Sequence, residues 1–304
     1  MKAVVMTKPG DPDVLQLREL PVPELQTPTD VRVRLYAAGI NPIDTKIRSR
    51  GTFSSHPLPA ILGCDGAGVV DAVGSAVRSL QVGDEVYFCD GGLGGPYGSY
   101  AEYTIVDESR LAPKPKTLSF AEAAAAPLVL ITAWEALYDR GRLEAGRSVL
   151  VQAGAGGVGH VAIQLAKLKG TQVCPTVSTP EKAALVQDLG ADAVILYRDV
   201  DVVRSVLDWT DGNGVDLSFD TIGGPLLSQC FAATAIYGDV VTILAPAADT
   251  DWKTARDRNQ RVSYELMLTP MLKSLPDALR DQAVILKQCA RLIDRGQLRI
   301  HLSQ

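Results

Sequence analysis

Short runs in which hydrophobic and polar residues alternate fill the first part of the chain, residues 1–125. Clear examples are Val31–Tyr36, Ala67–Val73 and Glu85–Phe88, and Pro, Gly and Asp separate such runs at short intervals. Alternation with a period of two residues is typical of half-buried strands, and frequent turn residues favour short connections between them. The pattern therefore predicts a compact, mostly antiparallel β domain.

The pattern changes near residue 121. Ala121–Tyr138 is predicted to be helical, and strands and helices alternate from Ser148 onward. The alternating segments are Thr171–Val177, Glu181–Leu189, Ala193–Leu196, Val215–Phe219, Leu226–Thr234 and Asp239–Leu244. This alternation indicates a parallel, doubly wound sheet with helices on both faces. Farther on, Asp249–Arg261 is polar, Val262–Leu268 is predicted to be another strand, and Asp281–Arg295 to be an amphipathic helix.

A glycine-rich turn is the strongest chemical signal in the sequence. Gly154, Gly156 and Gly159 follow a short apolar run that begins at Ser148, and a helix with a strongly apolar face comes directly after them. Glycines permit a tight turn and the close approach of a pyrophosphate, and the helix N-terminus supplies free N–H donors. The spacing predicts a dinucleotide-binding loop, while a tight turn without a ligand remains the alternative.

Composition narrows the class of protein. The chain has 304 residues, 46% of them hydrophobic, and a formal net charge of −5. The absence of any Lys and Arg run argues against a nucleic-acid partner, and the longest apolar run, Ala123–Ile131, is too short to span a bilayer. The five cysteines are odd in number and widely spaced, as expected of free thiols. We interpret the chain as soluble and cytoplasmic, with a small molecule as its ligand.

Four further motifs complete a resemblance to a known family, and they are Ala37–Asp44, Gly63–Val70, Gly83–Val86 and Gly98–Tyr103. With the glycine loop, they make the chain resemble the zinc-free quinone oxidoreductase branch of the medium-chain dehydrogenase/reductase superfamily. The fold class that this implies is α/β, with a GroES-like β-rich catalytic domain and a Rossmann domain. The expected division is 1–125 for the GroES-like domain, 126–255 for the Rossmann domain, and 256–304 returning to the first. Because the family continues past the position of Gln304, we expect either a trimmed chain that lacks its C-terminal end or a genuinely short member.

The resemblance also predicts the absence of a metal. Zinc-dependent relatives have a Cys at the position of Asn41 and a His-Glu pair at the positions of Cys64 and Asp65, and an amide is a poor zinc ligand. Four closely spaced cysteines that bind structural zinc in other relatives are not matched here, where only Cys89 is present. The three histidines, His56, His160 and His301, are expected to be structural or solvated.

The residues after the second Rossmann strand indicate which nicotinamide cofactor binds. An acid at that strand end usually binds the ribose hydroxyls of NAD, whereas here Ser178 follows the strand and Lys182 lies in the next helix. A 2′-phosphate is attracted by this lysine and by the helix N-terminus, so we predict NADPH. The alternative is that Lys182 is simply solvated. The expected cofactor-binding residues are Asn41, Thr132, Gly154, Gly156, Gly157, Val158, Ser178, Lys182, Tyr197, Leu244 and Ala245, of which Ser178, Lys182 and Tyr197 match the adenosine-phosphate pocket of the family.

At the reacting end, a hydride acceptor gathers negative charge on oxygen and needs hydrogen-bond donors or a proton source. The resemblance implies that Asn41 and Thr132 lie near the nicotinamide, with Asn41 offering amide N–H donors. Asp44 is either catalytic or holds its loop. Lys46 replaces a tyrosine that is common in the family, and it is either a cationic donor or points into water. The catalytic candidates are therefore Asn41, Asp44, Lys46 and Thr132, with Tyr97 as a further possible donor.

These expectations converge on an NADPH-dependent oxidoreductase that transfers hydride to a quinone or similar conjugated carbonyl without zinc. Two alternatives stay open, a reductase of enone or acrylate-type double bonds and a non-catalytic nucleotide-binding protein. The strands around Asp239–Leu244 and Val262–Leu268 are expected at a sheet edge, which favours a homodimer, although loops covering that edge would leave a monomer.

Overall fold

The computed structural model describes residues 1–53 and 56–302 of the chain. These residues form two compact units. The first comprises Met1–Ile131, Leu268–Gly296 and, of the described residues beyond them, Leu302, and the second comprises Thr132–Met267 and Gln297–His301. None of the helices in the described part is both long enough and apolar enough to cross a membrane.

The first unit is built on antiparallel sheets, which confirms the predicted β-rich domain. Its strands are β1 (Lys2–Met6), β2 (Leu15–Glu19), β3 (Asp30–Ala38), β4 (Ala60–Ile61), β5 (Asp65–Val73), β6 (Glu85–Cys89), β7 (Tyr103–Asp107) and β8 (Ala112–Pro113). Five of them pair in the order β7-β3-β5-β6-β8 and three in the order β2-β1-β4. The alternating positions Val31 and Val33 on β3 are fully buried and pack against Val70, Val86 and Phe88. The period of two in the sequence thus selects the core face of the sheet.

Helices accompany the sheets of the first unit. They are α1 (Pro42–Arg50), α2 (Phe120–Ala124), the start of α3 (Pro127–Trp134), and, after the second unit, α9 (Thr269–Leu272) and α10 (Pro276–Asp294). Helix α10 is joined to β6 by the Tyr87 hydroxyl, which donates to the carbonyl of Leu286 at 2.6 Å in a buried environment. This bond ties residues near the end of the chain to the first unit.

The second unit is the predicted doubly wound fold. Its strands are β9 (Ser148–Val151), β10 (Gln172–Val177), β11 (Ile195–Leu196), β12 (Val215–Asp220), β13 (Thr234–Thr242) and β14 (Arg261–Tyr264), and its helices are α4 (Gly157–Leu168), α5 (Pro180–Asp188), α6 (Val202–Trp209), α7 (Leu226–Ala233) and α8 (Trp252–Asp257). The strands form one sheet in the order β11-β10-β9-β12-β13-β14, and every pair is parallel. Val149, Leu150 and Val151 are completely buried, as expected of a strand covered on both faces.

Three predicted elements differ from the structure. The single helix expected over Ala121–Tyr138 is interrupted between α2 and α3 and ends in a π-helical segment, Glu135–Arg140. Pro127 explains the interruption, because proline lacks an N–H and disfavours helical backbone at the residue before it. The strand expected over Val262–Leu268 ends at Tyr264, and the polar stretch Asp249–Arg261 contains α8, whose first turn is capped by the side chain of Asp251.

The ranges of the two compact units also differ from the expected domain limits. The expected limits fall after residues 125 and 255, whereas the units change after Ile131 and Met267. Strand β14 pairs with β13 from Asp239↔Arg261 to Thr242↔Tyr264, so the chain stays in the second unit beyond residue 255. Gln297–His301 also belongs to the second unit, because Gln164 on α4 donates to the carbonyl of Arg299 and accepts from its N–H. Residues 303 and 304 of the expected 256–304 segment lie outside the described residues.

Candidate functional site

The second unit has a topological switch point, the place at which open parallel sheets bind ligands. After β9 the chain continues to β10 on one side, while β12 lies on the other side of β9. Side chains and loops at the carboxyl ends of two such strands diverge, and ligands bind in the space between them. The glycine-rich loop follows β9 and therefore lies at this switch point.

The glycines of this loop are required by close contacts. A Cβ on Gly154 would lie 2.4 Å from Cβ of Pro175, and one on Gly159 would lie 2.3 Å from the carbonyl oxygen of Ala153. Gly156 is the N-cap residue of α4, and both Gly156 and Gly157 are exposed. The first N–H groups of a helix have no partner within it, so this exposed turn presents donors to an anion.

A buried network of polar side chains fixes the start of the loop. The hydroxyl of Thr176 donates to Oε1 of Gln152 at 2.8 Å and accepts the N–H of Ala153 at 3.1 Å. The carbonyl of Gln152 accepts the hydroxyl of Thr221 at 2.8 Å. Because Gln152 and Thr176 are no more than 2% exposed, water does not compete for these bonds, and the loop is held in place before any ligand binds.

A second buried group, Asp220, holds the chain at the carboxyl ends of β12 and β13. Its Oδ1 accepts the N–H groups of Ile222 and Gly223, both at 2.9 Å, and its Oδ2 accepts the hydroxyl of Thr242 at 2.8 Å. The N–H of Leu244 donates to that hydroxyl at 3.3 Å. Leu244 and Ala245, both expected cofactor-binding residues, thus lie at the carboxyl end of β13, half-buried and exposed respectively.

Two of the expected adenosine-phosphate residues, Ser178 and Tyr197, follow the carboxyl ends of β10 and β11. Val177 pairs with Leu196, so Ser178 and Tyr197 follow side by side, and the Tyr197 N–H donates to the carbonyl of Val177 at 3.1 Å. Lys182 is exposed in the first turn of α5, and its N–H donates to the hydroxyl of Thr179. One acid, Glu181, is next to it on α5, and the Thr179 hydroxyl lowers the pKa of this exposed carboxyl.

In the first unit, Asn41 and Asp44 are joined at the start of α1. The Asn41 N–H donates to Oδ2 of Asp44 at 2.8 Å, and the Tyr100 hydroxyl donates to the same oxygen at 2.9 Å. Asn41 is 7% exposed and Asp44 is 3% exposed. Burial raises the pKa of Asp44, in opposition to these hydrogen bonds. These hydrogen bonds suit a carboxylate that holds its loop, and both roles expected of Asp44 stay predictions.

Asp65 is a member of this cluster that the sequence-based reasoning did not select. It is completely buried, and its Oδ2 accepts the side-chain N–H of Asn41 at 3.0 Å. The N–H of Leu128, in the first turn of α3, donates to Oδ1 at 3.1 Å. Burial raises the pKa of Asp65 to about 7. The signal in the sequence was its position, because it stands where zinc-dependent relatives have the glutamate of their His-Glu pair.

The remaining catalytic candidates are Lys46, Tyr97 and Thr132. Lys46 is half-buried on α1, and Tyr97 is half-buried in the glycine-rich stretch before β7. Thr132 is 4% exposed on α3 and belongs to the second unit. The structure thus joins Asn41 and Asp44 in the first unit. In the second unit it places the glycine loop, Ser178 and Tyr197 after the carboxyl ends of neighbouring strands, with Lys182 on the following helix α5.

His160 has a structural environment. Its Nδ1 lies 3.1 Å from the carbonyl oxygen of Gly156, and its Nε2 accepts the N–H of His301 at 3.1 Å. Burial lowers its pKa, which favours the neutral ring that these two bonds require.

The five cysteines are buried free thiols. Among the residues 1–53 and 56–302, no three His, Cys, Asp or Glu side chains are grouped as metal ligands would be.

Comparisons with known proteins give consistent results over both units. The family model described as "Alcohol dehydrogenase GroES-like domain" matches residues 27–116, and the one described as "Zinc-binding dehydrogenase" matches residues 157–270. The chain is similar to the quinone oxidoreductase of Pseudomonas aeruginosa, at 35% identity over 295 residues, 97% of this chain and 89% of that protein.

Two further comparisons concern the cofactor and the acceptor. The chain is 46% identical to the chloroplastic NADPH-dependent alkenal/one oxidoreductase of Arabidopsis thaliana over 232 residues, 73% of this chain and 58% of that protein. Its fold is similar to the crystal structure of Escherichia coli quinone oxidoreductase complexed with NADPH, with a TM-score of 0.84, 27% identity, and coverage of 100% of this chain and 91% of that one.

Proposed function

Because the chain belongs to the zinc-free quinone oxidoreductase branch of the medium-chain dehydrogenase/reductase superfamily, we propose that it reduces quinones with NADPH and without zinc. The observation that carries the proposal is the exposed glycine turn at the switch point of the parallel sheet. Its donors suit a pyrophosphate, and its backbone is fixed in advance by the buried Gln152 and Thr176 pair.

The residues present fit NADPH. Gly156, Gly157 and Val158 would bind the pyrophosphate at the start of α4, where Gly159 also permits close packing of the turn. Ser178, Lys182 and Tyr197 would hold the 2′-phosphate, because a hydroxyl and an ammonium are the donors that phosphates prefer. Leu244 and Ala245 would contact the cofactor from the carboxyl end of β13. The carboxylate of Glu181 is near this group and weakens the preference for NADPH. It does not take the position of the acid that binds the ribose of NAD, because Glu181 lies in α5 and not at the end of β10.

NADPH, when bound, supplies a hydride from its nicotinamide C4 carbon. The roles proposed for the chain's own residues are orientation and proton supply. Thr132 is the residue of the second unit proposed to orient the nicotinamide end, and within the first unit Asp44 would hold Asn41 in place through the hydrogen bond to its N–H. Lys46 and Tyr97, which are half-buried, are the candidate donors to the acceptor oxygen as it gathers charge.

The decisive experiment is an acceptor-dependent assay. Purified protein is mixed with NADPH and a panel of small quinones, and the loss of NADPH absorbance is followed against a control without protein. We expect turnover with several quinones, unchanged by treatment with a zinc chelator. Tight NADPH binding without turnover of any acceptor would contradict the proposal and favour a non-catalytic nucleotide-binding protein.

A second candidate, reduction of the C=C bond of an enone, has a specific observation in its favour. The plant relative named as an alkenal/one oxidoreductase is 46% identical, against 35% for the bacterial quinone oxidoreductase. Both acceptors are flat conjugated carbonyls, so the same panel should include enones. Mass spectrometry of the products then distinguishes a hydroquinone from a saturated carbonyl.

We further propose a homodimer in the cytoplasm. Strand β14 is the last strand of its sheet, and Tyr264 at its end is 52% exposed, as is Tyr237 on the neighbouring β13 at 73%. An edge strand with exposed aromatic side chains favours pairing with a second copy. Light scattering after size-exclusion chromatography should give twice the mass of the chain, and a monomer at micromolar concentration would contradict this. The five free, buried thiols are compatible with a reducing compartment.

A further inference from the structure

His160, in the first turn of helix α4, joins two parts of the second unit that are distant along the chain. Its Nδ1 lies 3.1 Å from the carbonyl oxygen of Gly156 in the glycine turn, and its Nε2 accepts the N–H of His301 at 3.1 Å. All three residues belong to the second unit, and His160 is 3% exposed. Because a buried ring nitrogen without a hydrogen-bond partner is costly, the imidazole is held by both contacts.

The contact with His301 determines which ring nitrogen carries the proton. A backbone N–H can only donate, so Nε2 of His160 is the acceptor, and the proton of the neutral ring then lies on Nδ1. Burial lowers the pKa of the imidazole, which keeps the ring in this neutral form. Nδ1–H therefore donates to the Gly156 carbonyl, which also accepts the backbone N–H of His160 at 3.0 Å.

A carbonyl held in this way fixes the direction of the next N–H. The carbonyl of Gly156 and the N–H of Gly157 belong to one planar trans peptide unit, so they point in opposite directions. Gly157 is exposed and is the first residue of α4, where an N–H has no acceptor within the helix. His160 thus sets the direction of one of the donors that the turn presents to an anion.

The segment Gln297–His301 is held against α4 by a second side chain as well. Gln164 donates from Nε2 to the carbonyl of Arg299 at 2.9 Å and accepts the Arg299 N–H on Oε1 at 2.8 Å. Gln164 follows His160 by four positions, and residues four apart lie on one face of a helix. These bonds therefore help to hold the His301 N–H at the imidazole, and the tautomer of His160 depends on the docking of this segment.

We propose that His160 is a positioning residue that couples docking of the segment Gln297–His301 to the orientation of the Gly157 N–H, and so to dinucleotide affinity. The inference deepens the proposed function and rests on it for the binding of a pyrophosphate at Gly157. With the segment docked, Nδ1 carries the proton and the turn is held. With the segment released, the proton is free to move to Nε2, and an unprotonated Nδ1 repels the Gly156 carbonyl. By reciprocity, a bound dinucleotide stabilises the docked segment.

Two amide substitutions separate the two contacts of the ring. In His160→Asn, the side-chain NH₂ group is near the position of Nδ1 and can still donate to Gly156, but the side chain is too short to reach His301. In His160→Gln, the side-chain oxygen is near the position of Nε2 and can accept the His301 N–H, while the donor to Gly156 is lost. His160→Phe keeps the size of the ring and removes both contacts. Gln164→Leu removes the side-chain hydrogen bonds that dock the segment.

The first two readouts need no ligand. Two-bond ¹H–¹⁵N spectra of histidine-labelled protein should show the Nδ1–H tautomer for His160, assigned by its loss in His160→Phe, and Gln164→Leu should shift these signals. Hydrogen exchange of residues 297–302 should be faster in His160→Asn, His160→Phe and Gln164→Leu, and near that of the wild type in His160→Gln. An Nε2–H tautomer in the wild-type protein would overturn the proposal, whatever the protein proves to catalyse.

The third readout is the dissociation constant for NADH and for NADPH, measured by fluorescence titration. His160→Phe should weaken both cofactors equally, by about 3- to 10-fold, because the lost bond supports the half that they share. His160→Asn should recover most of this loss, and His160→Gln should not. Gln164→Leu should weaken both cofactors in the wild-type background and have no further effect in His160→Phe, since the two residues then no longer interact. Saturating NADPH should slow the exchange of residues 297–302 in the wild-type protein and not in His160→Phe.

Each outcome of the binding experiment supports the coupling or overturns it. If His160→Phe binds both cofactors like the wild type, or if His160→Asn and His160→Gln lose affinity to the same extent, the ring is structural and the proposal is overturned. An effect of Gln164→Leu that persists unchanged in His160→Phe overturns it as well. If the wild-type protein binds neither cofactor, the proposed function fails, and the tautomer and exchange measurements alone decide the positioning role.

Discussion

Replacement of Lys182 by Ala tests the cofactor assignment directly. Lys182 is exposed in the first turn of α5, beyond the adjacent ends of β10 and β11 that carry Ser178 and Tyr197. Its ammonium is the charged donor of this group, so the substitution should weaken NADPH and leave NADH almost unchanged. NADH serves as an internal control because the two cofactors differ only in the 2′-phosphate.

The size of the effect follows from the exposure of the lysine. Hydrogen bonds to charged groups contribute more to the binding free energy than hydrogen bonds between neutral groups. If the pair were shielded from solvent, removing the lysine would lower NADPH affinity by about 10- to 100-fold. Solvent screens an exposed ammonium, so we expect the lower end, about 10-fold at low salt, and less at higher ionic strength. NADH affinity should change by less than about 2-fold.

Two matched variants make the assay sharper. Glu181→Gln removes the neighbouring carboxylate and should strengthen NADPH binding slightly, in the direction opposite to Lys182→Ala. Lys253→Ala removes the same net charge from an exposed site on α8 and should leave both cofactors unaffected. Dissociation constants come from fluorescence titration at two salt concentrations. An equal loss of NADPH and NADH affinity in Lys182→Ala would refute the assignment of the 2′-phosphate to this site.

Two substitutions test the packing that supports each unit. Gly154→Ala places a Cβ 2.4 Å from Cβ of Pro175 and should lower unfolding stability by about 1–3 kcal/mol together with NADPH affinity, whereas Gly95→Ala, with no atom within 4 Å of its Cβ, should leave Tm nearly unchanged. Equal Tm values for the two variants would contradict the contact. Tyr87→Phe leaves the buried carbonyl of Leu286 without its 2.6 Å donor and should cost about 1–3 kcal/mol in chemical denaturation, and an unchanged denaturation midpoint would count against this bond.

The features that the sequence predicted correctly are those decided by local chemistry. The glycine turn follows from sterics within a few residues, since Gly154 and Gly159 are required by contacts with Pro175 and Ala153. Strands β3, β5 and β6 follow from hydrophobic periodicity, and the parallel sheet of the second unit follows from the alternation of strands with helices. Ser178 and Tyr197 are neighbours because β10 and β11 pair in parallel, while their role in binding a cofactor stays a prediction.

The features that escaped prediction depend on contacts between distant segments. Nothing near Asp65 in the sequence shows that its carboxylate meets Asn41 and Leu128, because those contacts arise only when β5, α1 and α3 are assembled. The continuation of the second unit to Met267 depends likewise on the pairing of β14 with β13. The break at Pro127 was available to local reasoning and was outweighed by the apolar run around it.

In each unit, a completely buried aspartate holds residues that are expected to contact a ligand. Asp65 in the first unit and Asp220 in the second are completely buried, and each accepts hydrogen bonds from two separate segments of the chain. Stability alone does not favour this choice, since well-packed apolar side chains are often as stabilising as buried charges. An apolar side chain, however, cannot accept a hydrogen bond from an amide or fix where a backbone N–H points. The position of these two carboxylates, one beside Asn41 and the other below the loop that leads to Leu244, is therefore better explained by preorganised polar groups than by stability of the fold.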